Sequence, residues 1–181
     1  MKTLLIGVGS IARVGKDYAA AKLSEIYDLQ RIAFADELKK DLGILFEQNG
    51  LYLPDLLSVP TTKEMIRPLL VSYGQTMRTL DPDIWVRRAL KDCDFTHQIT
   101  MITDVRFPNE AEYIKRLGGH YVEIDTTLAP ANETEAYYSP LMKDLADYTI
   151  TNKFDGSFIE CFRELIDSLL SNKRVDVLDF V

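Results

Sequence analysis

The first part of the chain combines an apolar run, a loop of small residues and a helix-forming segment. Residues 4–8 are apolar, residues 9–17 form the loop, and residues 18–23 favour a helix. This order predicts a strand, a loop and a helix. Backbone N–H groups at a helix N-terminus can surround a phosphate, and Lys16 adds a positive charge there. The sequence therefore predicts that residues 9–17, the phosphate loop, bind a nucleotide.

The phosphate loop satisfies the second half of the pattern GxxxxGK[ST]. Ser10 stands at the first Gly position, and Asp17 stands at the Ser/Thr position. These residues by themselves leave open an ordinary turn between a strand and a helix with a surface lysine. The rest of the chain has to distinguish the two interpretations.

The composition is that of a globular protein with a single domain. The chain has 181 residues, of which 46% are hydrophobic and 27% charged. A chain of this length buries enough surface to fold without disulfides or a structural metal. Cys93 and Cys161 have no partner at metal-ligand spacing, so we expect reduced thiols and a cytoplasmic protein. The apolar run at residues 4–8 is too short for a signal segment or a membrane span.

The charge distribution favours a small anionic ligand over nucleic acid. A net charge of −7 opposes general binding to a phosphate backbone, which depends on neutralisation by Lys and Arg. Between residues 61 and 91, however, six basic side chains exceed three acidic ones and leave a local charge of +3. The basic residues are Lys63, Arg67, Arg78, Arg87, Arg88 and Lys91.

Strand-like and helix-like segments alternate along the chain. The predicted strands are 2–8, 29–34, 99–103, 121–124 and 148–151, and the predicted helices are 16–27, 36–48, 61–92, 109–117 and 157–170. We expect Asp36 to cap its helix, Thr61 and Glu64 to form a capping box, and residues 51–60 to form a loop. The alternation predicts an α/β fold, with a mostly parallel five-stranded sheet between helices on both faces. Ligands of such a fold bind at the carboxyl ends of the strands.

A second group of charged residues follows the apolar strand 99–103. Asp104 and Arg106 lie within the string Asp-Val-Arg-Phe-Pro-Asn-Glu at 104–110. In a P-loop protein the strand beside the loop commonly ends in an Asp that holds magnesium or its water shell. The alternative is an Asp that caps a turn and an Arg that pairs with it.

Several of these segments resemble the phage-type deoxynucleoside monophosphate kinases, and the resemblance extends over most of the chain. Its specific parts are Arg-Val-Gly-Lys-Asp at 13–17 and the string at 104–110. The same Gly-Lys-Asp loop also occurs in phosphomevalonate kinases, which leaves the acceptor open. The other matching parts are 34–39, Arg67 with Gly74 and Arg78, 81–85, and 147–152.

The resemblance implies a P-loop fold of the nucleoside monophosphate kinase type in one domain, residues 1–181. Its core would be 1–50 and 98–181, with a helical acceptor-binding insertion at about 51–97 and a lid at about 125–147. It implies ATP, Mg²⁺ and transfer of the γ-phosphoryl group to a deoxynucleoside monophosphate. It also suggests a phage source, hence the host cytoplasm, and admits a homodimer.

Roles within the site follow from the same resemblance. Lys16 and the loop amides would hold the ATP phosphates, and Asp17 with Asp104 would position magnesium through waters. The segment between Asp125 and Asp147 has Lys143 as its one basic residue, so a lid arginine is missing. We therefore expect Arg13, Arg106 and Arg78 to neutralise the transferring group. The expected ATP-binding residues are Ala12, Arg13, Val14, Gly15, Lys16, Asp17 and Tyr18, and the expected catalytic residues are Lys16, Arg13, Arg106 and Asp104.

One departure concerns the lid. Where the resembling kinases often have His-x-Ser-Glu, this chain has Asn132-Glu133-Thr134-Glu135, which keeps the acid and loses the imidazole. We interpret Glu133 and Glu135 as lid surface, with contact between Glu135 and the nucleotide as the alternative.

The acceptor is expected to bind to the helical insertion, because a guanidinium matches phosphate oxygens at two positions. Arg87 and Arg88 point in adjacent directions on one helix, so at least one of them is a surface charge. Trp85 either stacks on a base or packs in the core, and Asp36 either contacts the acceptor or caps a helix. The expected acceptor-binding residues are Asp36, Lys39, Arg67, Gly74, Arg78, Trp85 and Arg88.

Two other functions stay open at the level of sequence. The first is a P-loop protein that binds nucleotides without transferring phosphate, which Ser10, Val14 and the missing lid arginine favour. The second is a kinase for another phosphorylated acceptor, such as phosphomevalonate or dephospho-coenzyme A.

Overall fold

A computed structural model describes residues 3–91 and 93–171 of the chain. Contacts divide the chain into two compact units. The first unit runs to Ile32 and resumes at Asp94, and the second unit is Ala33–Cys93. Lys2 and Asp92, which end two of the predicted elements, lie outside the described residues.

The first unit is built on a sheet of five parallel strands. The strands are β1 (Leu4–Gly9), β2 (Leu29–Ile32), β3 (Ile99–Val105), β4 (His120–Asp125) and β5 (Tyr148–Thr151), in the order β2-β3-β1-β4-β5. Every neighbouring pair is parallel, which confirms the predicted sheet. The inner strands β1, β3 and β4 are largely buried because both of their faces are covered.

Eight helices accompany these strands in the described residues. They are α1 (Lys16–Ser24), α2 (Phe34–Glu47), α3 (Leu53–Ser58), α4 (Pro60–Leu80), α5 (Ile84–Lys91), α6 (Pro108–Arg116), α7 (Glu133–Leu145) and α8 (Phe158–Leu170). In the first unit, α1 and α8 supply Leu23 and Phe162 to a core with β1, β3 and β4. The other face of the sheet carries α6, whose Ile114 lies against Gly7 of β1. The prediction of helices on both faces is confirmed.

The register of the sheet determines which residues meet at its carboxyl edge. Gly9 at the end of β1 pairs with Val105 of β3 on one side and with Glu123 of β4 on the other. A Cβ atom at Gly9 would lie 2.0 Å from the hydroxyl oxygen of Tyr121, so this position requires glycine. The chain between Gly9 and Lys16 therefore leaves the sheet beside the ends of β3 and β4.

The second unit consists of α2, α3, α4 and α5 among the residues described. Helix α2 packs against the other three, which explains why the unit begins at Ala33, earlier in the chain than the predicted insertion. Trp85 is buried in this unit, and its Nε1–H donates a hydrogen bond to the carbonyl of Gly74 at 3.2 Å. A Cβ atom at Gly74 would lie 2.6 Å from Leu38 Cδ1, so glycine lets α4 approach α2 closely.

Three local predictions in the second unit are wrong. Residues 51–60 contain α3 and the first residue of α4, because burial of Leu53 orders a segment that its two prolines predicted as a loop. Helix α4 begins after Val59 with Pro60 in its first turn, and no side chain caps it, so Thr61 and Glu64 form no capping box. Asp36 lies inside the first turn of α2 rather than at its cap, which is Ala33.

No helix in residues 3–91 and 93–171 is long and apolar enough to cross a membrane.

Candidate active site

The phosphate loop leaves β1 and returns to α1 through three residues with positive φ. Gly15 has φ +86°, Ser10 has φ +136° and Arg13 has φ +68°. Glycine adopts this region of backbone space freely, but Ser10 and Arg13 have side chains that disfavour it, at a cost of about 1–3 kcal/mol each. Asn152, to which the sequence analysis gave no role in the site, supports the loop from the end of β5. Its Nδ2–H donates a hydrogen bond to the carbonyl of Val14 at 3.0 Å, and the side chain is buried.

Lys16 is buried under the phosphate loop rather than exposed on a turn. Its Nζ donates hydrogen bonds to the carbonyls of Ser10 at 3.0 Å and Ile11 at 2.6 Å. Burial and the nearby guanidinium of Arg106 lower the pKa of Lys16 to about 8. The ammonium group therefore lies within the loop, in a place where an anion would offset the cost of burying it.

Asp17, the next residue, is held by two neighbours at the edge of the sheet. Its Oδ1 accepts hydrogen bonds from the Thr103 hydroxyl at 2.9 Å and from Arg31 Nη2 at 2.8 Å. Partial burial alone would raise the pKa of Asp17, but the bonds from Thr103 and Arg31 lower it below its usual value. The carboxylate is therefore ionised at neutral pH.

The donor set fits magnesium held largely by water and phosphate. Asp17 is an ionised carboxylate beside the Thr103 hydroxyl, and oxygen ligands of this kind are those that Mg²⁺ prefers. Asp104 follows Thr103 along β3, where successive side chains point to opposite faces of the sheet. The described residues contain no group of three or more His, Cys, Asp or Glu side chains that could hold a metal. The assignment of magnesium to Asp17 and Asp104 stays a prediction.

Arg106 follows β3 and is oriented by Glu110. The Oε2 atom of Glu110 accepts hydrogen bonds from the backbone N–H groups of Arg106 at 2.8 Å and Phe107 at 3.2 Å. Glu110 thereby caps the turn before α6. The sequence analysis considered Asp104 for such a capping role. The Arg106 guanidinium is half exposed, and its Nη1 lies 3.5 Å from Glu135 Oε1.

A cavity of about 260 Å³, its open mouth included, lies next to the phosphate loop. Glu123 of β4 is fully buried beside it, and its Oε2 accepts a hydrogen bond from the Tyr121 hydroxyl. Within the described residues Oε1 of Glu123 has no hydrogen-bond partner, and burial raises the pKa of this carboxyl. The cavity is lined by Ser10, Ile11, Val105, Arg106, Glu123, Glu135, Tyr138, Ser139 and Met142.

Sequence reasoning assigned no role to Glu123. The available signal was a carboxylate inside the apolar string Tyr-Val-Glu-Ile at 121–124, since such a residue is rarely buried without a reason.

The other predicted ATP-binding residues differ in exposure, since Val14 is buried in the core whereas Arg13 and Tyr18 are exposed. Arg13 is exposed, and Ala12 donates its N–H to Glu135 Oε1 at 3.2 Å. Tyr18 is 54% exposed, and its ring stacks on Phe158 with centroids 6.3 Å apart. An aromatic surface therefore accompanies the start of α1.

In the second unit, Arg88 is held by acidic neighbours. Its guanidinium donates two hydrogen bonds to Asp41, at 2.5 and 2.6 Å, and lies 5.5 Å from the ring centroid of Trp85. Tyr73 donates a further hydrogen bond to Asp41 at 2.8 Å. Two parallel hydrogen bonds from one guanidinium are the geometry expected for a bound phosphate. In this structure the carboxylate of Asp41 accepts both of them.

The remaining predicted acceptor residues are distributed over α2 and α4. Arg67 is exposed and lies 3.3 Å from Glu64 on the same helix. Asp36 and Lys39 pair at 2.7 Å on α2. Arg78 lies in the last turn of α4, half-buried alongside Gly74. The acceptor-binding roles of these residues stay predictions.

The parallel sheet, its strand order and the loop that buries Lys16 define the fold of a P-loop kinase. The family model of phosphomevalonate kinase matches residues 11–120, which include most of the phosphate loop, the whole second unit and the strand with Asp104. The chain belongs to the phosphomevalonate kinase family. These findings support a kinase that acts on a small molecule.

Several solved structures are similar to this chain at low sequence identity. TT1252 from Thermus thermophilus is 14% identical with a TM-score of 0.53, over 97% of this chain and 100% of that one. The shikimate kinase of Acinetobacter baumannii in complex with shikimate is 13% identical with a TM-score of 0.49, over 96% of each chain. The shikimate kinase of Aquifex aeolicus is 16% identical with a TM-score of 0.46, over 93% of this chain and 98% of that one. No curated protein matches the chain.

Proposed function

We propose that the protein transfers the γ-phosphoryl group of ATP to the phosphate of a deoxynucleoside monophosphate. The observation that carries this proposal is the position of Lys16, whose Nζ lies inside the loop on the carbonyls of Ser10 and Ile11. Arg106 enters the adjoining cavity from the neighbouring strand. Two cations therefore flank the place where a triphosphate tail would lie.

Phosphoryl transfer requires alignment and charge neutralisation more than acid-base chemistry. Lys16 and the N–H groups of the loop would hold the phosphates of ATP, and Arg13 and Arg106 would neutralise the transferring group. The acceptor is an anionic phosphate oxygen, which is already a nucleophile and needs no general base. The absence of a histidine at Asn132 is compatible with such a reaction.

Asp17 and Asp104 would hold magnesium, which would supply further neutralisation of the phosphate oxygens. Arg31 and Thr103 hold Asp17 in place, and they keep its carboxylate ionised.

The acceptor has two candidates, and each has its own support. The motifs at 13–17 and 104–110 favour a deoxynucleoside monophosphate through their resemblance to the phage-type kinases. The family model over residues 11–120 favours phosphomevalonate. Both acceptors are phosphate monoesters, so the same arginines, Arg67 and Arg78, serve either proposal.

A coupled assay of ADP formation would test the function and the acceptor together. Purified protein is supplied with Mg²⁺, ATP and, one at a time, the eight common ribo- and deoxynucleoside monophosphates, phosphomevalonate and dephospho-coenzyme A. We expect turnover with at least one deoxynucleoside monophosphate. Turnover with phosphomevalonate alone would show that the acceptor is phosphomevalonate and not a deoxynucleoside monophosphate. ATP binding without ADP formation with any acceptor would identify a protein that binds nucleotides without transferring phosphate.

The control pair for this assay is Lys16→Ala and Lys22→Ala. Lys16 is buried in the loop, whereas Lys22 on the same helix is half-exposed and pairs with Glu25. Loss of one phosphate-binding lysine should lower turnover by about 10²-fold or more, and the Lys22 variant should retain the rate of the unmodified protein. Equal rates in the two variants would contradict the role of Lys16.

A further inference from the structure

Glu135, in the first turn of α7, contacts the phosphate loop directly. Its Oε1 accepts a hydrogen bond from the backbone N–H of Ala12 at 3.2 Å and lies 3.5 Å from Arg106 Nη1. Only 9% of the Glu135 side chain is exposed. A carboxylate oxygen therefore lies between a loop N–H and a guanidinium, which are two donors that a phosphoryl oxygen would also use.

The hydrogen bonds at the start of α7 account for the position of only one of the two carboxylate oxygens of Glu135. Asn132 caps the helix, because its Oδ1 accepts a hydrogen bond from the N–H of Glu135 at 2.9 Å. Oε2 of Glu135 adds a bond from the N–H of Ala131 at 2.9 Å, as a residue of a capping motif does. Oε1 takes no part in this arrangement and contacts the loop instead.

The position of Ala12 indicates which phosphate the carboxylate displaces. Helix α1 begins at Lys16, so the N–H groups at that end of the loop serve the phosphate nearest the helix. Ala12 lies four residues before Lys16, directly after Ser10 and Ile11, which line the cavity. Its N–H contacts the same Glu135 oxygen that lies 3.5 Å from Arg106. Arg106 is the cation assigned to the transferring group, so the donors that hold Glu135 belong to the outermost phosphate.

We propose that Glu135 occupies the subsite of the γ-phosphoryl group and determines the preference of the loop between nucleoside triphosphate and diphosphate. The inference rests on the proposed function. A triphosphate has to displace the carboxylate before its last phosphate reaches Ala12 and Arg106, whereas a diphosphate binds with the carboxylate in place. Glu135 therefore weakens binding of ATP relative to ADP, and it returns to the loop when the phosphoryl group has been transferred.

Two substitutions separate the contact from the charge. Glu135→Gln removes the charge and keeps an oxygen for the N–H of Ala131. Glu135→Asp keeps the charge, but its side chain is one methylene shorter and does not reach Ala12. Glu133→Gln is the matched control, because Glu133 is exposed in the same turn and the substitution changes the net charge of the protein by the same amount.

Isothermal titration calorimetry with Mg²⁺ would measure the affinity of each protein for ADP and for a non-hydrolysable ATP analogue. Both Glu135 variants should bind the analogue about tenfold more tightly, the size of one charge-assisted hydrogen bond, and should bind ADP within about twofold of the unmodified protein. The Glu133 variant should bind both ligands within about twofold of the unmodified protein. Melting curves verify that each variant is folded.

Either of two results would overturn the inference and leave the proposed function intact. The first is an unchanged or weaker affinity of the Glu135 variants for the analogue, which would make Glu135 a residue of the helix start or a nucleotide contact. The second is equal tightening of ADP and the analogue, which would indicate a general charge effect. Failure of the unmodified protein to bind either nucleotide would overturn the proposed function and the inference with it.

Discussion

Individual residues of the phosphate loop combine strain with burial. Ser10 adopts φ +136°, a conformation that glycine tolerates and serine disfavours. Lys16 is nine-tenths buried, with its charge placed on two carbonyl groups. Both features cost free energy of folding and are typical of sites that have to be preorganised for a ligand.

Ser10→Gly is expected to stabilise the protein. Relief of the backbone strain should raise the free energy of unfolding by about 1–3 kcal/mol. The greater freedom of glycine in the unfolded chain should lower it by about 0.5–1 kcal/mol. Urea unfolding should show a net gain of about 1 kcal/mol. The control is Ser157→Gly, since Ser157 has φ −62° and should lose stability on the same change. Lower stability of the Ser10 variant would show that the serine side chain stabilises the loop.

Glu123 makes stability depend on pH. Its pKa is raised by burial above the ordinary value of 4.5, with Lys16 and Lys143 opposing the shift and Asp125 adding to it. The folded protein therefore holds this proton more tightly than the unfolded chain does, and stability from this group is lost as the pH rises through the folded pKa.

Glu123→Gln removes that titration and keeps an oxygen for the Tyr121 hydroxyl. Below pH 4.5 the unmodified protein and the variant should be similarly stable. Above it the variant should become the more stable of the two, by about 1.4 kcal/mol for each pH unit by which the pKa is raised. Urea unfolding between pH 4 and pH 8 measures the difference, and a difference that does not vary with pH would contradict this account.

At the scale of elements, the apolar faces of the strands and helices pack together, and a few glycine positions allow their backbones to approach closely. The five strands were predictable from sequence because their apolar runs are short and bounded by turns, and β5 was predicted at Tyr148–Thr151, as observed. Helix α3 was not predictable, because two prolines indicate a loop and only packing in the second unit orders the segment. Helix α7 carries Glu135, and its apolar pattern is too weak to identify it as more than a lid.

Gly9→Ala should disrupt the contact between β1 and β4. The added Cβ would meet the Tyr121 hydroxyl oxygen at 2.0 Å, a distance that forces a shift of the tyrosine or the strand. We expect a loss of about 1–3 kcal/mol in the free energy of unfolding. Gly43→Ala is the matched control, because a Cβ there has nothing within 4 Å and lies inside α2. The control should gain about 0.5–1 kcal/mol, and equal effects at the two glycines would contradict the packing seen at Gly9.

At the scale of the whole molecule, a chain of 181 residues divides its proposed tasks between two compact units. The first unit contains the phosphate loop, and the second contains the predicted acceptor residues Arg67 and Arg78. Ligands that bind only the folded protein stabilise it by mass action. Thermal unfolding therefore reports binding to either unit without requiring turnover.

Mg²⁺-ATP at about 100 times its dissociation constant should stabilise the protein by about 2.7 kcal/mol. For a chain of this size the melting temperature should rise by roughly 5–10 °C, which differential scanning calorimetry measures. The Lys16→Ala variant should show a smaller rise at the same concentration of ATP. A melting temperature that ATP leaves unchanged in the unmodified protein would contradict nucleotide binding at the loop.

The sequence by itself determined the order of the five strands and of most helices, the phosphate loop with Lys16, and the charged residues Asp104 and Arg106 at the end of β3. Local patterns are sufficient for these features, because hydrophobic periodicity and loop composition are properties of neighbouring residues. Only the tertiary structure showed that Asn152, Glu123 and Glu135 surround the loop. The hydrogen bonds of Asn152 and Glu135 to the loop join residues 138 and 123 positions apart. Such contacts form because the segments that follow β1, β4 and β5 all begin at the same carboxyl edge of the parallel sheet.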